Sequence, residues 1–198
     1  MPLADYFSSV HATDASASQI AQADPHPRIH YRVASAEHSG LSSHSVDLIT
    51  VAQALHWFDL DRFYAEARRV LKSDGVIAAW SYGMIRVEGI EVDAAIQHFY
   101  RYKIGSYWPP ERRHVENGYR DLNFPFQLLD TPSLSMRVQW TLDQLLGYLR
   151  SWSASARYFS ATGDDPAMGL AAELLPIWGG PQYRRQIEWP LSILAGRT

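Results

Sequence analysis

Polar side chains that could bind a small molecule follow three strand-like segments. Asp14 ends the first segment, Ser35-Ala36-Glu37 follow the second, and Gln53 with His56-Trp57 follow the third. In open α/β sheets, ligands bind beyond the carboxyl ends of the strands. An aspartate there can accept hydrogen bonds from both hydroxyls of a ribose, and a serine with free backbone N–H groups can read the edge of an adenine. These residue types are therefore compatible with a nucleoside site.

Each of these segments also has a plainer interpretation. Asp14 could cap a helix that begins near Ser16, a contribution of about 1 kcal/mol. Ser35-Ala36-Glu37 could be a solvated loop, and Trp57 could pack in the core while His56 satisfies a local hydrogen bond. Taken one at a time, the residues leave these alternatives open.

The first part of the chain alternates between strand-like and helical patterns. The predicted elements are a strand at Val10–Thr13, a helix at Ser16–Ala23, strands at Ile29–Val33 and Val46–Val51, a helix at Asp61–Leu71 and a strand at Val76–Trp80. Ser73-Asp74-Gly75 is expected to end the second helix. Such alternation predicts parallel βαβ units with right-handed crossovers.

After Gly83 the pattern changes, and the segments between predicted elements become rich in Pro, Trp and Tyr. The predicted elements are helices at Glu91–Tyr102, Thr141–Trp152 and Asp165–Leu175, and strands at Ser135–Trp140 and Gln186–Ala195. We expect the two strands to add an antiparallel pair to the sheet edge.

The composition is that of an ordinary globular protein, with 46% hydrophobic and 20% charged residues among 198. A net charge of -3 and no long basic run argue against a nucleic-acid partner. The absence of cysteine excludes disulfides, thiolate metal sites and cysteine nucleophiles, and no metal site is predicted. No segment approaches about 20 apolar residues, and Met1–Val10 lacks a signal-peptide pattern. We therefore expect a cytoplasmic location and no membrane partner.

Five longer sequence motifs include these polar segments and the elements around them. They are Asp14 and Ser16, Ser35-Ala36-Glu37, Ser45-Val46-Asp47-Leu48-Ile49, Ala52-Gln53-Ala54-Leu55-His56-Trp57, and Glu66-Ala67-Arg68-Arg69-Val70-Leu71-Lys72-Ser73-Asp74-Gly75. Together they resemble the class I S-adenosylmethionine-dependent methyltransferases, in particular the methyltransferase type 11 or trans-aconitate methyltransferase-like group. The resemblance covers at least His11–Trp80.

The resemblance implies an α/β fold: a Rossmann-like class I methyltransferase sheet with antiparallel C-terminal edge strands and a helical, aromatic-rich insertion. It implies S-adenosylmethionine as the cofactor. Asp14 would bind the ribose, Ala15 would lie against the adenine, Ser35 and Ala36 would contact the adenine edge, and Gln53 would lie near the methionine moiety. His56 is the candidate catalytic base, and the candidate substrate pocket consists of Trp57, Tyr82, Tyr107 and Trp108.

The sequence departs from the family pattern at its start. Family members carry a first strand and a loop of the form Asp-x-Gly-x-Gly-x-Gly, whereas the first glycine here is Gly40. Met1–Phe7 looks like the tail of the helix that follows this loop. We therefore expect a sheet that lacks its first strand, and a strand ending at Asp14 without one of its neighbours.

These observations predict one domain, residues 1–198, with a partial cofactor-binding half at 1–83 and a substrate-capping half at 84–198. The predicted function is S-adenosylmethionine-dependent methylation of a small molecule. The alternative is a truncated or inactive protein of this fold with weak or no cofactor binding, acting as a dimeric binding module; a homodimer is left open in either case. A dehydrogenase fragment is a third hypothesis, but no Gly-x-Gly-x-x-Gly is present.

Overall fold

The computed structural model describes residues 3–198. These residues group into two compact units. The first unit contains the described residues up to Ala79, together with Phe124–Asp130 and Ala195–Thr198. The second unit contains Trp80–Asn123 and Thr131–Leu194. The strands Leu71–Tyr82 and Arg185–Arg197 contribute residues to both units.

The first unit begins with alternating helices and strands. They are α1 (Leu3–Tyr6), β1 (Val10–Asp14), α2 (Ala17–Ala21), β2 (Ile29–Val33), β3 (Val46–Ala52), a 3₁₀ turn (Leu55–Trp57), α3 (Leu60–Val70) and β4 (Leu71–Tyr82). Short strand β6 (Gln127–Leu128) also belongs to this unit. The predicted strands at β1, β2 and β3 are confirmed to within one residue.

Strands β1 and β2 pair in parallel, as the alternating pattern predicts. Val10 lies opposite Ile29 and Asp14 lies opposite Val33. The pair forms a sheet of its own, and among the described strands β1 pairs with β2 alone.

The predicted helix Asp61–Leu71 is confirmed as α3 to within one residue, but the prediction that Ser73-Asp74-Gly75 ends it is wrong. Helix α3 ends at Val70, and β4 begins at once with Leu71 and runs through Gly75. From Gly75 onward every second residue of β4 is buried, which is the period of a strand with one covered face. A Cβ atom on Gly75 would lie 2.8 Å from Leu71 Cδ2 and 3.0 Å from the Lys72 carbonyl oxygen. The glycine therefore permits a close approach within a strand and does not cap a helix.

The second unit is mainly helical. Its elements are β5 (Arg86–Val87), α4 (Ile90–His98), a π-helical segment (Phe99–Lys103), a 3₁₀ turn (Gly105–Tyr107), α5 (Arg112–Glu116), β7 (Ser135–Trp140), α6 (Leu142–Arg150), α7 (Ser153–Thr162), α8 (Ala167–Trp178) and most of β8 (Arg185–Arg197). The three predicted helices of this region are confirmed, with shifted ends. Helix α7 has no predicted counterpart.

Strands β7 and β8 form the expected antiparallel pair, with Ser135 opposite Pro190 and Trp140 opposite Arg185. In the larger sheet the hydrogen-bonded order is β3-β4-β8-β5, and β6 and β7 also pair with β8. The core of the second unit packs α4, α6 and α8 around fully buried residues such as Leu145, Leu174 and Trp178. None of the described helices is long and apolar enough to cross a bilayer.

Candidate functional site

The carboxyl ends of β1 and β2 lie side by side. Asp14 and Val33 are partners in the parallel register, and the Ala34 amide donates to the Asp14 carbonyl oxygen at 3.1 Å. Ser35 follows Ala34 directly, so the candidate ribose residue and the candidate adenine loop meet at one edge of the sheet. This is the juxtaposition that the strand order predicts.

Asp14 does not cap helix α2. The cap is Ser16, whose hydroxyl oxygen accepts from the Gln19 amide at 3.4 Å. The Ser16 amide donates to Oδ1 of Asp14 at 2.7 Å, and among the described residues Oδ2 of Asp14 accepts no hydrogen bond. The carboxylate is thus oriented by its own turn, exposed, and able to accept further hydrogen bonds.

The loop after β2 is an ordered turn. The Ser35 hydroxyl donates to Oε2 of Glu37, and the Glu37 amide donates back to Ser35 Oγ at 3.2 Å. The Asp59 amide donates to Oε1 of Glu37 at 3.0 Å, which joins the loop to the start of α3. The Ser35 hydroxyl and, to a lesser extent, the Glu37 and Asp59 amides hold the pKa of the Glu37 carboxyl below its usual range.

A buried carboxylate ties the rest of this loop to α3. Glu66 accepts from the Ser39 amide at 2.8 Å and from the Ser39 hydroxyl at 2.5 Å. It also accepts from Nε and Nη2 of Arg69 at 2.7 and 2.8 Å. The Arg69 hydrogen bonds, followed by those from Ser39, lower the pKa of Glu66 to about 2. Glu66 and Arg69 were visible in the sequence only as part of the family motif, so their role in fixing the loop was missed.

The third candidate segment follows β3. Gln53 adopts a left-handed backbone conformation, with φ of 54°, which is uncommon for a residue other than glycine. The rings of His56 and Trp57 lie 4.7 Å apart. Trp57 is 57% exposed while Leu55 is fully buried, so the interpretation of Trp57 as a core residue is wrong. The structure leaves the indole available at the surface of this unit.

An aromatic cluster lies in the second unit. Ring centroids are 5.0 Å apart for Tyr100 and Trp108, 5.6 Å for Trp108 and Trp152, and 5.6 Å for Tyr148 and Trp152. The guanidinium of Arg112 lies 4.6 Å from the centroid of the Trp108 ring. The Nε1 atom of Trp108 is buried and has no hydrogen-bond partner among the described residues. A buried indole N–H without a partner is uncommon, because its desolvation is not compensated.

Two phenols, Tyr100 of this cluster and Tyr82, have pKa values above their usual range. The Tyr100 hydroxyl accepts from Nε of Arg112 at 2.9 Å and donates to Glu116. Burial raises the pKa of Tyr100 to about 12, and Arg112 opposes that rise. Burial and then the Tyr148 phenol raise the pKa of Tyr82, again opposed by Arg112. Both phenols are therefore held in the neutral form.

The predicted substrate residues of this unit, Tyr82, Tyr107 and Trp108, all pack against its hydrophobic core. Trp108 belongs to the cluster, and Tyr82 interacts electrostatically with Tyr148 and Arg112. Tyr107 packs against Tyr158 at 5.1 Å, and Nζ of Lys103 lies 4.7 Å from the Tyr158 ring centroid. Tyr148 was missed as a cluster member, since nothing in its local sequence separates it from an ordinary helix residue.

Among residues 3–198, no group of three or more His, Asp or Glu side chains could hold a metal ion. The polar groups that follow strands β1, β2 and β3 include the Asp14 carboxylate, the Ser35 hydroxyl and the imidazole of His56.

Comparisons with known proteins identify the class of protein to which the chain belongs. The family described as "Methyltransferase domain" matches residues 1–79. A Dictyostelium discoideum protein that bears a methyltransferase name is 36% identical over 179 residues, which are 89% of this chain and 68% of that protein. A Saccharomyces cerevisiae protein named as an S-adenosylmethionine-dependent methyltransferase is 24% identical over 164 residues, 69% of this chain and 55% of that protein. The chain thus spans about two thirds of the first relative and about half of the second.

A solved structure from Anaeromyxobacter dehalogenans, named among the type II methyltransferases, is 48% identical and superposes with a TM-score of 0.91. The match covers 98% of this chain and 83% of that one. Fold and sequence together define a class I, Rossmann-like α/β protein, as the resemblance implied. The chain belongs to the methyltransferase domain family, whose members in this class use S-adenosylmethionine as methyl donor.

Proposed function

We propose that this chain binds S-adenosylmethionine and serves in transfer of its methyl group to a small molecule. The observation that carries the proposal is the meeting of Asp14 and the Ser35 loop at the joined carboxyl ends of β1 and β2. Asp14 would accept the ribose hydroxyls, Ala15 would lie against the adenine, and Ser35 with Ala36 would contact the adenine edge. Gln53 would lie near the methionine moiety.

The described residues fit the nucleoside part of the cofactor. A ribose diol offers two hydroxyl donors, and Oδ2 of Asp14 accepts nothing else among the described residues. The carboxylate is exposed at a strand end, where ligands of open α/β sheets bind.

The cofactor supplies a methyl group on a sulfonium, which a nucleophile displaces in line. The protein side of such a reaction is mainly alignment of the acceptor, which can lower a barrier by about 7–11 kcal/mol. A phenol or amine acceptor benefits from a base, and His56 is the residue we propose for that role. A carboxylate acceptor needs no base.

Within the second unit, Tyr82, Tyr107 and Trp108 are proposed to contact the acceptor. Trp57 of the first unit is proposed separately, as an exposed indole beside His56. The unpartnered N–H of Trp108 suits a ligand oxygen, since a buried donor gains most from an acceptor that it otherwise lacks. The surrounding rings suit a mainly apolar small molecule. A cytoplasmic location, a homodimer and the absence of nucleic-acid or membrane partners also remain predictions.

Calorimetric titration with S-adenosylhomocysteine tests the proposal. We expect micromolar binding by the 198-residue chain, at least about tenfold weaker binding by Asp14→Ala because about two hydrogen bonds to a charged acceptor are lost, and unchanged binding by the control Asp24→Ala. Asp24 is exposed in the segment after α2 and outside the proposed site. Absence of binding by the wild-type chain at millimolar ligand would contradict the proposal and favour the inactive binding module.

A further inference from the structure

The Ser35 hydroxyl has two of its hydrogen-bonding positions occupied by one residue. Its single proton is donated to Oε2 of Glu37, because a carboxylate cannot donate in return. One of its two lone pairs accepts the Glu37 amide at 3.2 Å. One lone pair remains. In this arrangement Ser35 can accept one further hydrogen bond and cannot donate any.

Hydrogen bonds hold the Glu37 carboxylate in the position from which it accepts the Ser35 proton. Its second oxygen, Oε1, accepts the Asp59 amide at 3.0 Å, and Asp59 caps α3 by accepting from the Arg62 amide at 3.2 Å. Each carboxylate oxygen of Glu37 thus has its own donor. The Ser35 hydroxyl bond lowers the pKa of Glu37, so the carboxylate stays ionised, and acceptor-only, at neutral pH.

We infer that Glu37 acts as a positioning residue that makes Ser35 an obligate hydrogen-bond acceptor, so that the loop selects a purine with an exocyclic amine over one with a carbonyl. An amine donates where a carbonyl would need a donor, and Ser35 has no proton left to give. This inference rests on the proposed nucleoside site at Asp14 and Ser35. It assigns to the Ser35–Glu37 pair the choice between adenine and hypoxanthine.

The substitution Glu37→Gln should reverse the polarity of Ser35. The side-chain amide oxygen that this substitution introduces can take the place of Oε1 and accept the Asp59 N–H, which turns the amide NH₂ group toward Ser35. Both lone pairs of Ser35 are then occupied by donors, and its proton is released for a ligand. The opposite orientation of the amide would set two donors against each other at Asp59.

The test is a calorimetric comparison of S-adenosylhomocysteine with S-inosylhomocysteine, in which the 6-amino group is replaced by a carbonyl. The measured quantity is the ratio of the two dissociation constants. We expect the wild-type chain to prefer the adenine ligand, and Glu37→Gln to move the ratio about tenfold toward the inosine ligand, the effect of about one hydrogen bond. Melting temperatures of both proteins establish that they are folded.

Two further variants distinguish a positioning role of Glu37 from a nonspecific disturbance of the loop. Asp59→Asn removes a neighbouring charge but keeps the amide that binds Glu37, so its ratio should equal that of the wild type. In a Ser35→Ala background, Glu37→Gln should produce no additional change in the ratio, because Glu37 acts through Ser35.

The results that would overturn this inference differ from those that would overturn the proposed function. A wild-type ratio retained in Glu37→Gln overturns the inference while leaving the cofactor site in place. Equal binding of both ligands by the wild-type chain does the same. Binding of neither ligand overturns the proposed function and this inference with it.

Discussion

Asp14 and Val33 lie opposite each other at the carboxyl ends of β1 and β2. Because the Ala34 amide donates to the Asp14 carbonyl oxygen at 3.1 Å, the backbone that carries the aspartate also anchors the start of the Ser35 loop. Two polar groups that are distant in sequence are thus held at a fixed spacing by main-chain hydrogen bonds. A ligand that spans them needs no rearrangement of either strand.

Replacing Glu66 should loosen the loop between β2 and β3. Since the pKa of Glu66 is lowered from 4.5 to about 2 by Arg69 and Ser39, its ionised form stabilises the fold above pH 4.5, and this stabilisation is lost as pH falls toward 2. We expect Glu66→Gln to lower the free energy of unfolding by about 2 kcal/mol at neutral pH, reduced from the full shift because Arg69 is partly solvated. Urea denaturation between pH 7 and about 2 measures both effects.

The control for Glu66 is Glu173→Gln, an exposed residue of α8. Its unfolding midpoint and acid profile should match those of the wild type. A Glu66→Gln variant with the same acid profile as the wild type would show that the carboxylate does not stabilise this loop.

His11 and His30 should make the β1–β2 pair sensitive to acid. Their rings stack at 5.1 Å across the pair, and the pKa of His11 is lowered by burial, by His30 and by Arg32. A lowered pKa means that the folded state resists protonation, so stability falls as pH drops below about 6.5. NMR titration of the imidazole protons should show the His11 pKa rising in His30→Gln and unchanged in His98→Gln. An unchanged His11 pKa in His30→Gln would exclude coupling between the two rings.

The left-handed backbone at Gln53 should favour glycine over a β-branched residue. With φ of 54°, a β-branched side chain is strained by about 1–2 kcal/mol, whereas glycine is not. Both Gln53→Gly and Gln53→Val remove the native side chain. Their difference in unfolding free energy therefore mainly reports the strain of the left-handed backbone conformation. At Thr50, inside β3, the same comparison should favour valine. Equal stability of the two Gln53 variants would show that the turn relaxes.

Two glycines should respond in opposite directions to alanine. A Cβ at Gly75 would lie 2.8 Å from Leu71 Cδ2, and we expect Gly75→Ala to destabilise by about 1–3 kcal/mol. At Gly147, inside α6, nothing lies within 4 Å, so Gly147→Ala should stabilise by about 0.5–1 kcal/mol through helix propensity. Thermal unfolding of the two variants gives the signs. A higher melting temperature for Gly75→Ala would contradict the close approach in β4.

The residues at strand ends could be predicted because their positions follow from local patterns. Asp14 and Ser35 each lie at the end of a short segment with strand character, and parallel pairing brings these ends together. The Ser35–Glu37–Asp59 and Ser39–Glu66–Arg69 contacts could not be predicted in this way, since they depend on where α3 packs against a loop that has no periodic pattern.

The missed elements have similar physical reasons. Helix α7 (Ser153–Thr162) buries only Ala154 and Ser155, so its sequence carries no apolar stripe. The early start of β4 at Leu71 was hidden by Ser73-Asp74-Gly75, whose residue types favour a helix end. The sequence did not decide whether Trp57 lies in the core or at the surface, because a tryptophan side chain is compatible with both.

The nucleoside site at the β1–β2 edge is tested most directly by a crystal structure of the chain with S-adenosylhomocysteine. We expect both ribose hydroxyls to lie about 3 Å from the Asp14 carboxylate and the purine amine to lie about 3 Å from Ser35 Oγ. A ligand bound with its ribose away from Asp14, or a purine edge that faces away from the Ser35 loop, would contradict it.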